Sequence, residues 1–152
     1  MPKIEKITKQ TENPYVNLYL VEGKNKVDHP FRYYVASRAK TMEALKIKTK
    51  KNTPDGVLMY SLYGEKRDKI VLVRQYRVSI DDYIYEFPAG LVESGEEFHE
   101  AAVREMHEET GLTFHPLKVD PCYEKPFFTT IGMTDEACSA VYGWCEGEIS
   151  RK

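Results

Sequence analysis

One long amphipathic helix set among short β-type runs predicts an α+β fold. Three observations carry that prediction. The stretch Gly90–Leu112, GLVESGEEFHEAAVREMHEETGL, holds helical spacing between a start signal and a stop signal. Runs of branched and aromatic residues bounded by Gly, Pro, Asn and Asp read as strands on both sides of it. The 152 residues are enough for one domain with a real core and too few for two.

Taken in order, residues 3–9 and 16–23 (VNLYLVEG) read as strands, with a turn at Asn13-Pro14 between them. Asn25–His29 is a polar turn, and Phe31–Ser37 is the next strand. Arg38–Thr53 is charged; Thr41–Ile47 has the pattern of a short helix, and the lysine-rich part after it reads as exposed loop. Pro54-Asp55-Gly56 turns the chain into a strand at Val57–Tyr63, and Gly64–Lys66 turns it again into Ile70–Tyr76, a hairpin. Tyr83–Phe87 is short and apolar, and Pro88-Ala89-Gly90 leads into the helical stretch. Beyond the helix, His115–Glu124 is extended, Pro126–Asp135 is loop and Ala137–Trp144 is a strand. The expected layout is a single domain over 1–152, with N-terminal strands in about 1–50 and the core in about 54–148.

Ser94 and Glu97 form the S-x-x-E of a capping box, so the helix is expected to start at about Gly95. It is expected to end near Thr110, because Gly111 suits the left-handed residue past a helix C-terminus. At about 100° per residue, Glu105, Glu108 and Glu109 fall within an arc of roughly 100°, which Phe98, Ala101, Ala102 and Met106 share or border. Glu100, Arg104 and His107 lie opposite, on the side expected to be solvated. Carboxylates at i, i+3 and i+4 repel one another. On a partly apolar side they call for positive compensation, and a hard divalent cation such as Mg²⁺ suits oxygen ligands. The other reading is a solvated acidic face.

A net charge of -2 argues against general nucleic-acid binding. No apolar run approaches the length of a membrane span, and MPKIEKITKQ lacks the apolar core of a signal peptide. Cys122, Cys138 and Cys145 contain no C-x-x-C pair, and an odd count reads as reduced thiols in an intracellular, cytoplasmic protein.

The glutamate-rich stretch resembles the Nudix box, G-x5-E-x7-R-E-U-x-E-E-x-G-U, where U is a bulky aliphatic residue. Gly90, Glu96, Arg104, Glu105, Met106, Glu108, Glu109, Gly111 and Leu112 match every fixed position. The resemblance implies an α/β/α sandwich with a mixed central sheet and one dominant helix, preceded here by an N-terminal antiparallel sheet. It also implies hydrolysis of a nucleoside diphosphate linked to another group, with divalent cations held by Glu105, Glu109, Glu108 and the Ala89 carbonyl. Arg104 and Glu96 would orient loop and helix, and Glu108, Glu105 and Arg104 would serve the chemistry. VLVRQYRVSIDDYIYEFPAGLVESGE is similar to the ADP-ribose pyrophosphatase branch, in which the second arginine of R-Q-Y-R, here Arg77, contacts substrate phosphates. The residue-level alternative is an ion pair of Arg77 with Asp81 or Asp82. Glu86 reads as a substrate contact or a strand-edge charge, and Arg38 and Phe128 as further substrate contacts, Phe128 or Phe127 by stacking on a purine.

Two departures from that branch stand out. Thr130-Ile131 occupies the place of Ser-Pro in S-P-G-x-x-D-E, although Gly132, Thr134, Asp135 and Glu136 fit. The sequence stops at Lys152, whereas relatives continue with a loop bearing a glutamate often proposed as general base, a strand and a helix. The base is therefore sought in Glu108, Glu105 or Glu93; of the paper candidates His99, His107 and His115, the first two lie off the carboxylate arc and read as solvated surface. The branch also implies a homodimer formed through the strands at 16–23 and 31–37. Expected is Mg²⁺-dependent (or Mn²⁺-dependent) hydrolysis of ADP-ribose or a similar nucleotide sugar. The rivals are a nucleoside triphosphate sanitiser and a nucleotide-sugar sensor that does not cleave.

Overall fold

The computed structural model describes residues 2–150 and has two compact units. One comprises the chain up to Thr53 with Phe128–Ala137, the other Pro54–Phe127 with the chain from Cys138 onward.

In the first unit, β1 (Lys3–Lys9), β2 (Asn17–Lys24) and β3 (Pro30–Ser37) form an antiparallel sheet in that order. Central β2 carries the buried side chains Tyr19, Leu20 and Val21. Asn17 ties down the preceding loop, its Oδ1 accepting from Asn13 N at 2.7 Å and its Nδ2 donating to Asn13 O at 2.9 Å. The turn after β2 is closed by Asn25 Oδ1, which accepts from the backbone of Val27 and His29. The helix expected over Thr41–Ile47 is instead the single turn α1 (Lys46–Thr49), stopped by Lys50 in the left-handed region. Leu45, just before it, is buried, and Lys46 Nζ reaches Thr53 O. One anchoring apolar residue supports one turn and no more.

In the second unit, β4 (Gly56–Tyr63) leads through a turn to β5 (Lys69–Ile70). The expected hairpin ends there after two pairings, Leu62↔Ile70 and Tyr63↔Lys69. Val71 drops into the core with its N–H on Ser61 O, and the chain leaves the ladder. The rest of the apolar run, β6 (Val73–Arg77), pairs with β7 (Asp82–Glu86) as a separate two-stranded sheet. Next come β8 (Ala89–Leu91), α2 (Phe98–Thr110) and β9 (Thr113–Pro116). The segment expected to be extended over His115–Glu124 bends after β9 into a 3-10 turn at Pro121–Tyr123, capped by Asp120. β10 (Phe127–Phe128) and β11 (Ala137–Glu146) complete the order.

The larger sheet is mixed. β11 runs parallel to β4 from Cys138↔Gly56 to Cys145↔Tyr63, while β8 and β9 pair antiparallel with β4 and β11. α2 packs on it through Ala101, Ala102 and Met106, which meet Val57, Met59, Val141, Leu112 and Phe114 in the core. Each large side chain buried there contributes about 1.5–3 kcal/mol. That layer fixes the azimuth of α2, and so decides which of its glutamates reach β8.

Candidate active site

Helix α2 begins at Phe98, three residues later than its capping signal suggests. Glu97 is the cap, its carboxylate accepting from His99 N at 2.8 Å. Ser94 does not serve because residues 93–97 are held as a turn: Glu96 Oε2 accepts from Glu93 N at 2.9 Å, and Gly95 sits at φ +86°. Glu96 in turn is gripped by Arg104, with Nε and Nη2 each 2.9 Å from its oxygens. This fork and the Glu93 amide bring the Glu96 carboxyl down to about 2 from an ordinary 4.5.

Arg104 is therefore not the solvated residue its helical position suggests. Its side chain is 28% exposed. It crosses back over the turn to Glu96, to Leu91 O at 3.0 Å and to Glu105 Oε1 at 2.8 Å. The guanidinium ties turn, β8 and helix together, and these carboxylates push its own pKa up.

Glu105, 16% exposed, lies directly against Gly90. A Cβ built on Gly90 would stand 1.9 Å from Glu105 Cδ, so only glycine admits this carboxylate beside β8. One residue earlier, Ala89 N donates to Glu109 Oε2 at 3.2 Å. Burial raises the Glu109 pKa; Glu105 and Glu86 add to the rise, while the Ala89 amide and Arg77 oppose it. Glu109 thus stands in a surplus of negative charge. Glu108 is 55% exposed, with Oε2 3.7 Å from Arg104 Nη1.

Arg77 makes no pair with Asp81 or Asp82. Its Nη2 and Nε lie 2.6 and 2.9 Å from Glu86 Oε2 along the β6–β7 sheet. Asp81 accepts instead from Tyr76 Oη. The two residues singled out separately as substrate contacts are thus partners. Arg38 and Phe128 belong to the other unit: Arg38 Nε pairs with Glu136 Oε1 at 2.7 Å, and Phe128 lies exposed on β10. His99 is not the bare surface residue expected, since its two ring nitrogens lie 3.0 Å from Glu97 and 2.8 Å from Glu124. No spacing in the sequence points to Glu124 as its partner.

A family model described as NUDIX domain matches residues 52–148, more than half of the chain. The chain belongs to the Nudix family. Within it, the Nudix domain is 35% identical over 80 residues to ADP-ribose pyrophosphatase of Saccharomyces cerevisiae, covering 51% of this chain and 35% of that protein. It is 36% identical over 87 residues to ADP-sugar pyrophosphatase of Mus musculus, covering 55% and 40%. Over 61 residues it is 44% identical to ADP-ribose pyrophosphatase of Bacillus subtilis, covering 40% and 33%. The matched stretch thus spans between 33% and 40% of the length of these relatives. A crystal structure of an ADP compounds hydrolase shares the fold with a TM-score of 0.70, at 18% identity, covering 99% of this chain and 71% of that one.

Proposed function

We propose that this Nudix domain hydrolyses the diphosphate bridge of a nucleoside diphosphate sugar such as ADP-ribose, releasing a nucleoside monophosphate and a sugar phosphate. The observation that carries the reading is the corner where Glu105 lies against Gly90, Glu109 accepts from the adjoining Ala89 amide at 3.2 Å and Arg77 grips Glu86 at 2.6 Å. The substrate class follows relatives that bear the names ADP-ribose pyrophosphatase and ADP-sugar pyrophosphatase.

The donor set suits a hard divalent cation. Glu105, Glu108, Glu109 and the Ala89 carbonyl offer oxygen only, and burial, with Glu105 and Glu86 adding to it, makes the charge of the Glu109 carboxylate costly to hold without a cation. Among the described residues no three acidic, histidine or cysteine side chains are already gathered as a metal site, and Glu105 is held by Arg104. Mg²⁺, or Mn²⁺ in its place, would be held by those four residues. When bound, it supplies neutralisation of the diphosphate and acidification of water.

The remaining work falls to side chains of this chain. Arg77 exchanges one oxygen pair, that of Glu86, for a phosphate, which its planar fork fits equally well. Glu86, released, turns to the substrate. A water oxygen bonds to one phosphorus while the bridging P–O bond breaks and the second phosphate leaves. Glu108, the most exposed of the three helix carboxylates, accepts the water's proton, with Glu105 as the second acceptor within reach of the same face. Arg104 keeps Glu105 and the turn in register.

A homodimer through β2 and β3 is part of the same proposal, supported by the exposed Tyr33 and Tyr34 of β3. A cytoplasmic setting is part of the same proposal, supported by Cys122, Cys138 and Cys145 standing as thiols. Among the described residues no helix is long and apolar enough to cross a membrane.

The test incubates the protein with Mg²⁺ and, separately, ADP-ribose, ADP-glucose and ATP, resolving products chromatographically. ADP-ribose should yield AMP and ribose 5-phosphate. Glu109→Gln should lower the rate on the order of a hundredfold or more at an unchanged melting temperature. Preference for ATP would favour the triphosphate reading, and tight binding of ADP-ribose without turnover would favour the sensor.

A further inference from the structure

The turn between β4 and β5 holds a backbone outlier. Arg67 sits at φ +51°, its N–H donating to Gly64 O at 2.9 Å. Residues with a Cβ avoid this region, and those that enter it are mostly Asn or Asp. An outlier of this kind points to function rather than to local propensity. Here it carries the Arg67 guanidinium over the Trp144 ring, 4.3 Å from its centroid. The His115 ring is stacked on the same indole at 4.1 Å. Two groups that close cannot share one side of a ring, so Trp144 is clamped between them.

Arg67, Lys69, Trp144 and Gly147 line a cleft of about 570 Å³, a size in the range of small-molecule sites. It lies at the other end of β4 from the candidate active site. β8, which bears Ala89 and Gly90, pairs with Gly56–Leu58, whereas the cleft begins at Tyr63. From Leu58 to Tyr63 the strand runs roughly 16 Å.

The two cations of the cleft are uncommitted. Among the described residues, neither the Arg67 guanidinium nor the Lys69 ammonium meets an acceptor. Of the two carboxylates at the rim, Glu146 is engaged by His115 Nε2 at 2.9 Å, and Glu65 is exposed on the turn. A guanidinium covered on its face by an indole still presents its edge. That planar fork matches two oxygens of a tetrahedral oxyanion, and its fixed position lowers the entropy lost on binding. Lys69 supplies a second positive charge, which suits the second negative charge of a phosphate.

We infer that this cleft binds a phosphate group, free or carried as a monoester on a small molecule, between the Arg67 fork and Lys69. The site uses none of the groups assigned to hydrolysis and stands whether or not a diphosphate is cleaved.

Trp144 is the sole tryptophan of the chain, so its fluorescence reports this cleft. Inorganic phosphate, titrated without divalent cations at constant ionic strength, should change the emission saturably, whereas chloride should not. Lys69→Gln, which leaves the stack on Trp144 in place, should weaken the response about tenfold, as should Arg67→Lys, which keeps the charge and loses the fork. Arg67→Gly, which suits the positive φ, should fold and show no binding by calorimetry. Arg77→Ala should titrate like the parent. Saturation by ribose 5-phosphate at lower concentration than inorganic phosphate identifies a monoester as the ligand, and the reverse order identifies free phosphate. A parent that does not saturate, or that responds equally to chloride, would overturn the site. So would Lys69→Gln and Arg67→Lys within twofold of the parent, or a response lost in Arg77→Ala. A lower melting temperature for Arg67→Gly with phosphate binding intact would make Arg67 a support for Trp144 alone.

Discussion

Replacing Gly90 with alanine adds one methyl group where the Glu105 side chain already lies. The new Cβ would stand 1.9 Å from Cδ, 2.2 Å from Cγ and 2.4 Å from Oε1 of Glu105. Carbon contacts settle at about 3.5–4.0 Å, so the carboxylate must retreat by roughly 1.5 Å. The clash includes Cγ, so rotating the carboxyl alone does not relieve it, and Glu105 must change rotamer and give up its 2.8 Å bond from Arg104. Overpacking of this kind costs about 1–3 kcal/mol, or a melting temperature lower by roughly 3–9 °C for a chain of this size. Under the proposed function, an ångström-scale displacement of this carboxylate also costs about a hundredfold in rate. Urea unfolding and ADP-ribose turnover, measured on one sample, read both. The decisive control is Gly90→Ala with Glu105→Ala. Removing the obstructing side chain should make the double variant more stable than the sum of the singles by about 1 kcal/mol or more. A Gly90→Ala protein as stable as the parent, or strictly additive variants, would refute the close-approach argument.

Three further outcomes are expected. Gly111 lies at φ +77°, and a Cβ there would stand 2.2 Å from Ser150 Oγ; Gly111→Ala should lower stability by about 1–2 kcal/mol in urea titration. The Glu96 carboxyl titrates at about 2 in the fold against an ordinary 4.5, so its contribution is full above pH 4.5 and is lost as the pH falls towards 2; in melts across that window, Glu96→Gln should flatten the acid slope. His99 has the opposite sign: burial disfavours its charge, but Glu124 and Glu97 outweigh burial and raise its pKa above 6.5. Its contribution is therefore full below pH 6.5 and lost as the pH rises through the folded value, and His99→Gln should remove that alkaline-side loss in denaturation curves taken from pH 5.5 to 8.5.

Local signals were legible where the neighbours along the chain decide the conformation. Gly111 ends α2 in the left-handed region as its position implies, because a C-terminal cap depends on the adjacent backbone alone. The start of the same helix is not set by its neighbours along the chain. Ser94 and Glu97 have the right spacing, but Glu96 is claimed by Arg104 eight residues away, and that claim holds the turn out of helical geometry. The run Ile70–Tyr76 failed as one strand for a similar reason. Burial of Val71 outweighs continued pairing with β4, and the residues after it find β7 instead.

The sequence by itself determined the α+β class and the placing of Glu105, Glu108 and Glu109 on one side of a helix, since both follow from spacing along the chain, and its resemblance to the Nudix box pointed to the family. Tertiary structure alone decided which groups meet: Arg77 with Glu86 rather than Asp81 or Asp82, His99 with Glu124, and Glu105 with the open flank of Gly90. Those meetings depend on strand register, on the azimuth that the Ala101–Ala102–Met106 stripe imposes on α2, and on rotamers chosen under packing, none of which is written into residue order.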